Sequence, residues 1–84
     1  MDTIIIESAH KHGISDYAIN TCLLNVRRDI MLTEDPEKRL LVGFDHNGNP
    51  LELIGIVRDD TLLIIHAMKL RRQFYPLLEE TKYE

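Results

Sequence analysis

The residue types that acid–base chemistry requires are concentrated near the end of the chain. His66 is followed by Lys69, Arg71 and Arg72, and the segment 66–75 contains no acidic residue. Histidine titrates near neutral pH and can act as a general acid or base, whereas arginine and lysine bind phosphate groups. The segment therefore predicts an anion-binding basic patch. The alternatives are a histidine that hydrogen-bonds a helix start and a helix face that only meets solvent.

Three predicted strands must position these side chains. Apolar segments separated by turn residues predict an antiparallel meander. Its strands cover residues 39–45, 51–58 and 61–67. The dipeptide Asn47-Gly48 favours a type I′ hairpin turn, because both central residues of that turn need positive φ. Asp59-Asp60 is the second predicted turn.

Strand register decides which side chains share a face, because side chains alternate along a strand. Two-residue turns predict one apolar face made of Leu40, Val42, Phe44, Leu51, Leu53, Val57, Leu62, Ile64 and His66. The second, mixed face carries Arg39, Leu41, Asp45, Glu52, Ile54, Ile56, Arg58, Leu63 and Ile65. Arg39, Glu52 and Arg58 then lie near one another, and His66 lies on the opposite face. A three-residue second turn would instead place Glu52 and His66 together as an acid–base pair.

The segments outside the meander are predicted to be mostly helical. Thr3–Ile6 is short and β-branched, which indicates a strand or an extended arm. A helical turn at 8–12 is expected to end at Gly13. Ser15 is the predicted N-cap of a helix over 16–26.

The predicted meander is preceded by an acidic loop and followed by a helix. A short apolar run at 29–33 leads into the loop at 34–37, to which no strand is assigned. An apolar stripe predicts a C-terminal helix over 69–81, with a kink or a new start at Pro76.

Length and composition exclude several classes of protein. The chain has 84 residues, 44% apolar and 29% charged, which predicts a single small globular domain, 1–84. The single cysteine, Cys22, excludes a disulfide framework and a multi-cysteine zinc site. Its apolar runs are too short for a membrane span, and a net charge of −4 argues against binding nucleic acid by bulk charge.

The residues present also bear on cofactors and on the cellular compartment. His10 and His12 have too few companion ligands for a metal site, and no phosphate-binding glycine loop or dinucleotide fingerprint is present. We therefore expect no metal or other cofactor, no membrane contact and a cytoplasmic location.

Four short motifs occur in an order that resembles the BrnT-type toxins of bacterial type II toxin–antitoxin systems. They are Lys11-His12-Gly13-Ile14-Ser15, then Val42-Gly43, then Gly48 with Leu51-Glu52-Leu53-Ile54, then Ile64-Ile65-His66-Ala67-Met68-Lys69. The resemblance covers residues 11–72. Where the family reads Ser-Ala-Arg, this chain reads His66-Ala67-Met68, which marks it as a divergent variant with an arginine missing.

The resemblance implies a fold, an activity and partners. The fold is α+β and RelE-like: a twisted antiparallel sheet of three or four strands around a central meander, with N-terminal helices and a C-terminal helix. The activity is a ribonuclease that blocks translation by attack of the RNA 2′-OH on the neighbouring phosphate. The partners are RNA, free or ribosome-bound, and a cognate antitoxin protein.

Residue roles follow from the resemblance and from that chemistry, which needs a base, an acid and cations but no metal. The expected catalytic residues are His66, Lys69, Arg71 and Glu52, with His66 or Glu52 as the base. The expected RNA-binding residues are His12, Arg39 and Arg72. Two alternatives stay open: a non-catalytic interaction module of the same fold, and a small protein that dimerises through its sheet edge or final helix.

Overall fold

The computed structural model describes residues 1–79 as one five-stranded sheet with helical segments packed on it. The strands are β1 (Asp2–Ile5), β2 (Val26–Glu34), β3 (Glu37–Phe44), β4 (Pro50–Arg58) and β5 (Thr61–Lys69). The helices are a first 3₁₀ helix (Glu7–His10), α1 (Asp16–Leu24) and a C-terminal 3₁₀ helix (Arg72–Leu78). The α+β class and the central meander are confirmed.

The sheet differs from the predicted one in strand number and direction. Its order is β1-β5-β4-β3-β2, so it has five strands rather than three or four. It is also mixed, because β1 runs parallel to β5 while the other pairs are antiparallel. Strand β2 contains the apolar run at 29–33 and was not predicted. The charged residues at 27–29 interrupt its apolar pattern, and an edge strand tolerates such charges.

The loop between β3 and β4 moves the register away from the predicted one. Phe44 pairs with Pro50, so the loop holds five residues rather than two. The Asp45 carboxylate accepts hydrogen bonds from the backbone N–H groups of Asn47 and Asn49, both at 2.8 Å. Gly48 has a positive φ of 78° but Asn47 does not, so the predicted type I′ turn is wrong. The odd loop length puts Leu51 and its alternate neighbours on the face opposite to the predicted one.

The hairpin between β4 and β5 has the predicted two-residue turn and an unpredicted bulge. Arg58 pairs with Thr61, and both turn aspartates have positive φ, as a type I′ turn requires. Gly55 then pairs with Ile64 but Ile54 pairs with His66, which leaves Ile65 as an extra residue. This β-bulge turns His66 to the face of Ile54 and Glu52.

The sheet carries a hydrophobic core on each face. The helix face, which α1 and the first 3₁₀ helix cover, buries Ala9, Ala18, Ile19, Cys22, Leu41, Leu51, Leu53, Ile64 and Ala67. The C-terminal face is covered by the C-terminal 3₁₀ helix. Leu40, Val42 and Leu70 are buried there, against Ile30, Ile54, Phe74, Leu77 and Leu78.

The predicted helix that follows Ser15 is present, whereas the predicted C-terminal helix differs in type and in its starting residue. The Ser15 hydroxyl caps α1 by accepting from the Ala18 N–H at 3.1 Å, and α1 ends at Leu24 because β2 begins at Val26. The C-terminal segment is a 3₁₀ helix rather than an α-helix from 69, since β5 runs to Lys69. Pro76 lies inside it, and the predicted end at Thr81 lies outside the described residues.

Candidate active site

Glu52 is the centre of a polar cluster on the C-terminal face of the sheet. Its side chain is 0% exposed, and it is the one charged residue buried among those described. The carboxylate accepts hydrogen bonds from the Arg71 backbone N–H and Nε, both at 3.1 Å, and from Nη2 at 2.8 Å. The guanidinium therefore binds both carboxylate oxygens in a bidentate fork, which is the strongest geometry for this ion pair.

Arg71 keeps the buried carboxylate charged. Burial raises the pKa of Glu52, but the hydrogen bonds and the positive charge of Arg71 outweigh it, so that the pKa is lowered. The same fork raises the pKa of Arg71. A carboxylate of lowered pKa whose oxygens already accept several hydrogen bonds is a poor proton acceptor. Of the two expected bases, the geometry therefore favours His66.

His66 lies beside Glu52 because of the bulge at Ile65. Its Nε2 is 3.4 Å from Glu52 Oε2, which is a long contact. An ionised carboxylate only accepts hydrogen bonds, so Nε2 must donate. The neutral ring then carries its lone pair on Nδ1. The side chain is 25% exposed, which leaves this ring accessible to a ligand.

A second imidazole, that of His12, packs against His66. The ring centroids are 5.6 Å apart and the planes meet at 75°, an edge-to-face contact. Pairing of β1 with β5 stops at Ile64, so the chain beyond β1 can cross the edge of β5 beside His66. The resemblance named His12 as an RNA-binding candidate, and the structure brings it to the cluster.

The segment that carries His12 is held at both ends. The Ser8 hydroxyl donates to the carbonyl of Ile65, the bulged residue, at 3.3 Å. The His10 ring contacts the Ile14 carbonyl at 2.9 Å and the Asp16 carboxylate at 2.8 Å. These contacts tie the loop to β5 on one side and to the start of α1 on the other, and they fix where His12 lies.

The remaining predicted residues do not all reach the cluster. Arg72 is exposed at the start of the C-terminal 3₁₀ helix, next to Arg71. Lys69 pairs with Leu51 and so projects to the helix face. Arg39 also lies on that face, where it binds Glu37 at 2.7 Å and Asp29 at 3.0 Å. The predicted grouping of Arg39, Glu52 and Arg58 is therefore wrong, because the loop before β4 reverses the face of Glu52.

Other candidate groups are accounted for by packing. Cys22 is fully buried, and burial, reinforced by the nearby charge of Asp45, raises the pKa of its thiol to about 11. A thiol that stays protonated at neutral pH is a weak nucleophile. Within residues 1–79, no group of three or more His, Cys, Asp or Glu side chains is arranged to hold a metal ion.

Comparison with known proteins leaves the site to be interpreted from its own geometry. No family model, no curated protein and no solved structure matches the chain. None of the helices in the described part is both long and apolar enough to cross a membrane.

Proposed function

We propose that this protein is the ribonuclease toxin of a type II toxin–antitoxin system, a divergent BrnT-type chain with a RelE-like fold. The observation that carries the proposal is the pairing of two imidazoles, His12 and His66, beside the buried Glu52–Arg71 ion pair. Together these residues supply the base, the acid and the cation that metal-independent RNA cleavage requires.

His66 is the general base in this proposal. Its Nδ1 takes the proton of the RNA 2′-OH while Nε2 donates to Glu52, whose negative charge stabilises the imidazolium that forms. The 2′-oxygen forms a bond to the adjacent phosphorus, and the bond from phosphorus to O5′ breaks. His12, on the other side of the ring pair, gives a proton to O5′. The products are a 2′,3′-cyclic phosphate and a 5′-OH.

Arg71 stabilises the charge that develops on the phosphorane. Its fork with Glu52 engages Nε and Nη2, which uses two of the five guanidinium N–H donors. The side chain is about half exposed, and its guanidinium carbon lies 5.1 Å from the centre of the Phe74 ring. The fork and this cation–π contact hold the guanidinium in place while its other edge meets a phosphate oxygen. Arg72, one residue further, adds a second cation.

The proposal includes a partner and a location. A toxin of this kind acts on cytoplasmic RNA and is held inactive by a cognate antitoxin. Strand β2 provides a surface for that partner, since it is an edge strand on which Met31 and Leu32 are nearly half exposed. A second copy of the chain is the competing occupant of this edge.

A non-catalytic interaction module is the second candidate function. One observation favours it: Glu52 already neutralises Arg71, in a protein of net charge −4. Such a module would bind its partner through the same fold and would cleave no RNA.

The test is induced expression in a bacterial host, with growth and total RNA integrity followed together. Wild type is compared with His66→Ala, His12→Ala and Arg71→Ala, and the purified proteins are assayed on labelled single-stranded RNA. Loss of an acid–base residue is expected to slow cleavage about 10²–10⁴-fold. Arg58→Ala is the matched control, because Arg58 lies at the far end of β4 from Glu52 and should leave cleavage unchanged.

One outcome contradicts the ribonuclease and another contradicts only its assigned residues. The first is normal growth with intact RNA from wild-type protein that is folded and abundant. The second is cleavage that survives both histidine substitutions, which would refute the roles given to His12 and His66. The first leaves the interaction module as the better account, and pull-down of a stable partner would then support it.

A further inference from the structure

Tyr17 and His46 form an exposed aromatic pair that the ribonuclease mechanism does not use. Tyr17, in the first turn of α1, is 66% exposed. Its ring centroid lies 4.5 Å from that of His46, in the loop between β3 and β4, and the two planes are tilted by 43°. Neither ring belongs to a hydrophobic core. We call these two residues the aromatic platform.

The platform is held by a well-bonded loop. The Asp45 carboxylate accepts from the backbone N–H groups of Asn47 and Asn49 and from the Asn49 side-chain amide. The side-chain amide of Asn47 lies 3.3 Å from Nε2 of His46. These contacts order the loop that carries one ring, and α1 orders the other. A binding surface that is ordered in advance loses little conformational entropy when a ligand arrives.

The platform is joined to the candidate active site by two short chain connections. Tyr17 is five residues after His12, so their backbones are at most about 18 Å apart. On the other side, the platform loop runs directly into Pro50, whose carbonyl accepts from the Leu70 N–H at 3.0 Å, one residue before Arg71. These connections limit the separation of the two places to about the length of a few nucleotides of RNA.

We propose that the aromatic platform binds a base of single-stranded RNA by stacking, close to the phosphate that His12 and His66 act on. This inference rests on the proposed function, because it concerns the same substrate. An unpaired base can stack on a flat, exposed aromatic ring, because every base has a π-face.

The charge of the protein favours this mode of binding. A net charge of −4 gives little general attraction for the phosphate backbone, whereas stacking needs no net positive charge. The carboxylate of Asp16, beside Tyr17, is bound to His10 at 2.8 Å. The carboxylate of Asp45, beside His46, accepts hydrogen bonds within its own loop. Both nearby negative charges are thus engaged by the protein itself.

The experiment measures binding of a fluorescent eight-nucleotide 2′-O-methyl RNA to the full chain by anisotropy. Lacking a free 2′-OH, this RNA cannot be cleaved by the proposed mechanism. Tyr17→Ala is expected to weaken binding about 5- to 150-fold, the range for loss of one stacked base. Tyr17→Phe keeps the ring and should stay within about twofold of wild type. The ratio of the Tyr17→Ala affinity to the wild-type affinity should change little with salt concentration. Stacking predicts this result, whereas loss of a phosphate contact would make the ratio depend on salt.

The outcomes separate this inference from the ribonuclease. Equal binding by wild type and Tyr17→Ala, or no binding by wild type, overturns the platform, whatever the cleavage assay shows. Binding that depends on Tyr17 without cleavage of unmodified RNA supports the platform and contradicts the ribonuclease. Circular dichroism of each variant confirms the fold, which an exposed side chain is not expected to affect. A same-length oligonucleotide with abasic positions should bind wild type as weakly as intact RNA binds Tyr17→Ala.

Discussion

Glu52 organises the candidate site at the scale of single residues. One carboxylate accepts from the backbone and side chain of Arg71 and contacts His66, so it orients both the cation and the proposed base. A buried carboxylate is costly unless its charge is matched. Here the charge that balances Glu52 is that of Arg71, which lies at the surface. The candidate site and the stability of the fold therefore depend on the same ion pair.

This ion pair predicts a pH dependence of stability. Burial raises the pKa of Glu52, but Arg71 lowers it by more, so the net pKa lies below the 4.5 of an unperturbed glutamate. A carboxyl with a lowered pKa in the folded state stabilises the fold above its unfolded pKa, and this contribution is lost as pH falls through the folded pKa. We expect the thermal midpoint of the wild type to decrease when the pH is lowered below about 4.5. The thermal midpoint of Glu52→Gln should change less.

Circular dichroism melts between pH 3 and pH 7 check this prediction. Glu34→Gln, which removes an exposed carboxylate at the end of β2, is the matched control and should keep the wild-type profile. Identical pH profiles for wild type and Glu52→Gln would show that the ion pair does not contribute to stability.

At the scale of elements, the close approach of α1 to the sheet depends on Gly43. A Cβ atom at this position would lie 2.6 Å from the Asn25 carbonyl oxygen and 2.9 Å from that of Cys22. Both contacts are with backbone at the end of α1, which cannot move without the whole helix. The motif Val42-Gly43 of the sequence is therefore a packing requirement between strand and helix.

We expect Gly43→Ala to destabilise the protein by about 1–3 kcal/mol, the usual cost of overpacking. Gly55→Ala is the matched control. Its added methyl would also come within 2.6 Å of an atom, but that atom is the terminal Cδ1 of Leu62, which can rotate away. Urea unfolding measures both free energies. A larger loss at Gly55 than at Gly43 would contradict the assigned contact with α1.

At the scale of the whole molecule, one sheet serves two cores. Leu53 and Ile64 face α1, while Leu40 and Val42 face the C-terminal 3₁₀ helix. A chain of 84 residues has a total stability of about 4–13 kcal/mol. Neither core is large enough to be independent, so the two faces should unfold together.

Substitution in either core should therefore shift one common transition. Ile19→Ala opens the core on the helix face and Leu70→Ala opens the other, and each is expected to cost about 2–5 kcal/mol. Tyr75→Ala, at a position 48% exposed on the C-terminal 3₁₀ helix, should change stability by less than about 0.5 kcal/mol. Urea unfolding followed by far-UV circular dichroism gives the free energies. Two separate transitions in Leu70→Ala would disprove the single cooperative unit.

The sequence by itself determined the local elements of this protein. Ser15 as N-cap, the three strands of the meander and the two-residue turn at Asp59-Asp60 depend on short-range propensities, which neighbouring residues express directly. The candidate residues Glu52, His66 and Arg71 were also identified by type and position. Strand β2 was missed because charged residues mask its pattern.

Only the tertiary structure decided which of these residues meet. Both faces of the meander are covered, so Ile64 and Ile65 are apolar alike and the alternation that would reveal a bulge between them is absent. One extra residue at Ile65 places His66 on the face of Glu52, and an odd loop before Pro50 puts that face opposite to Arg39. The contact of Arg71 with Glu52 spans 19 residues of sequence. Side-chain contacts across that distance depend on register, which local propensity does not encode.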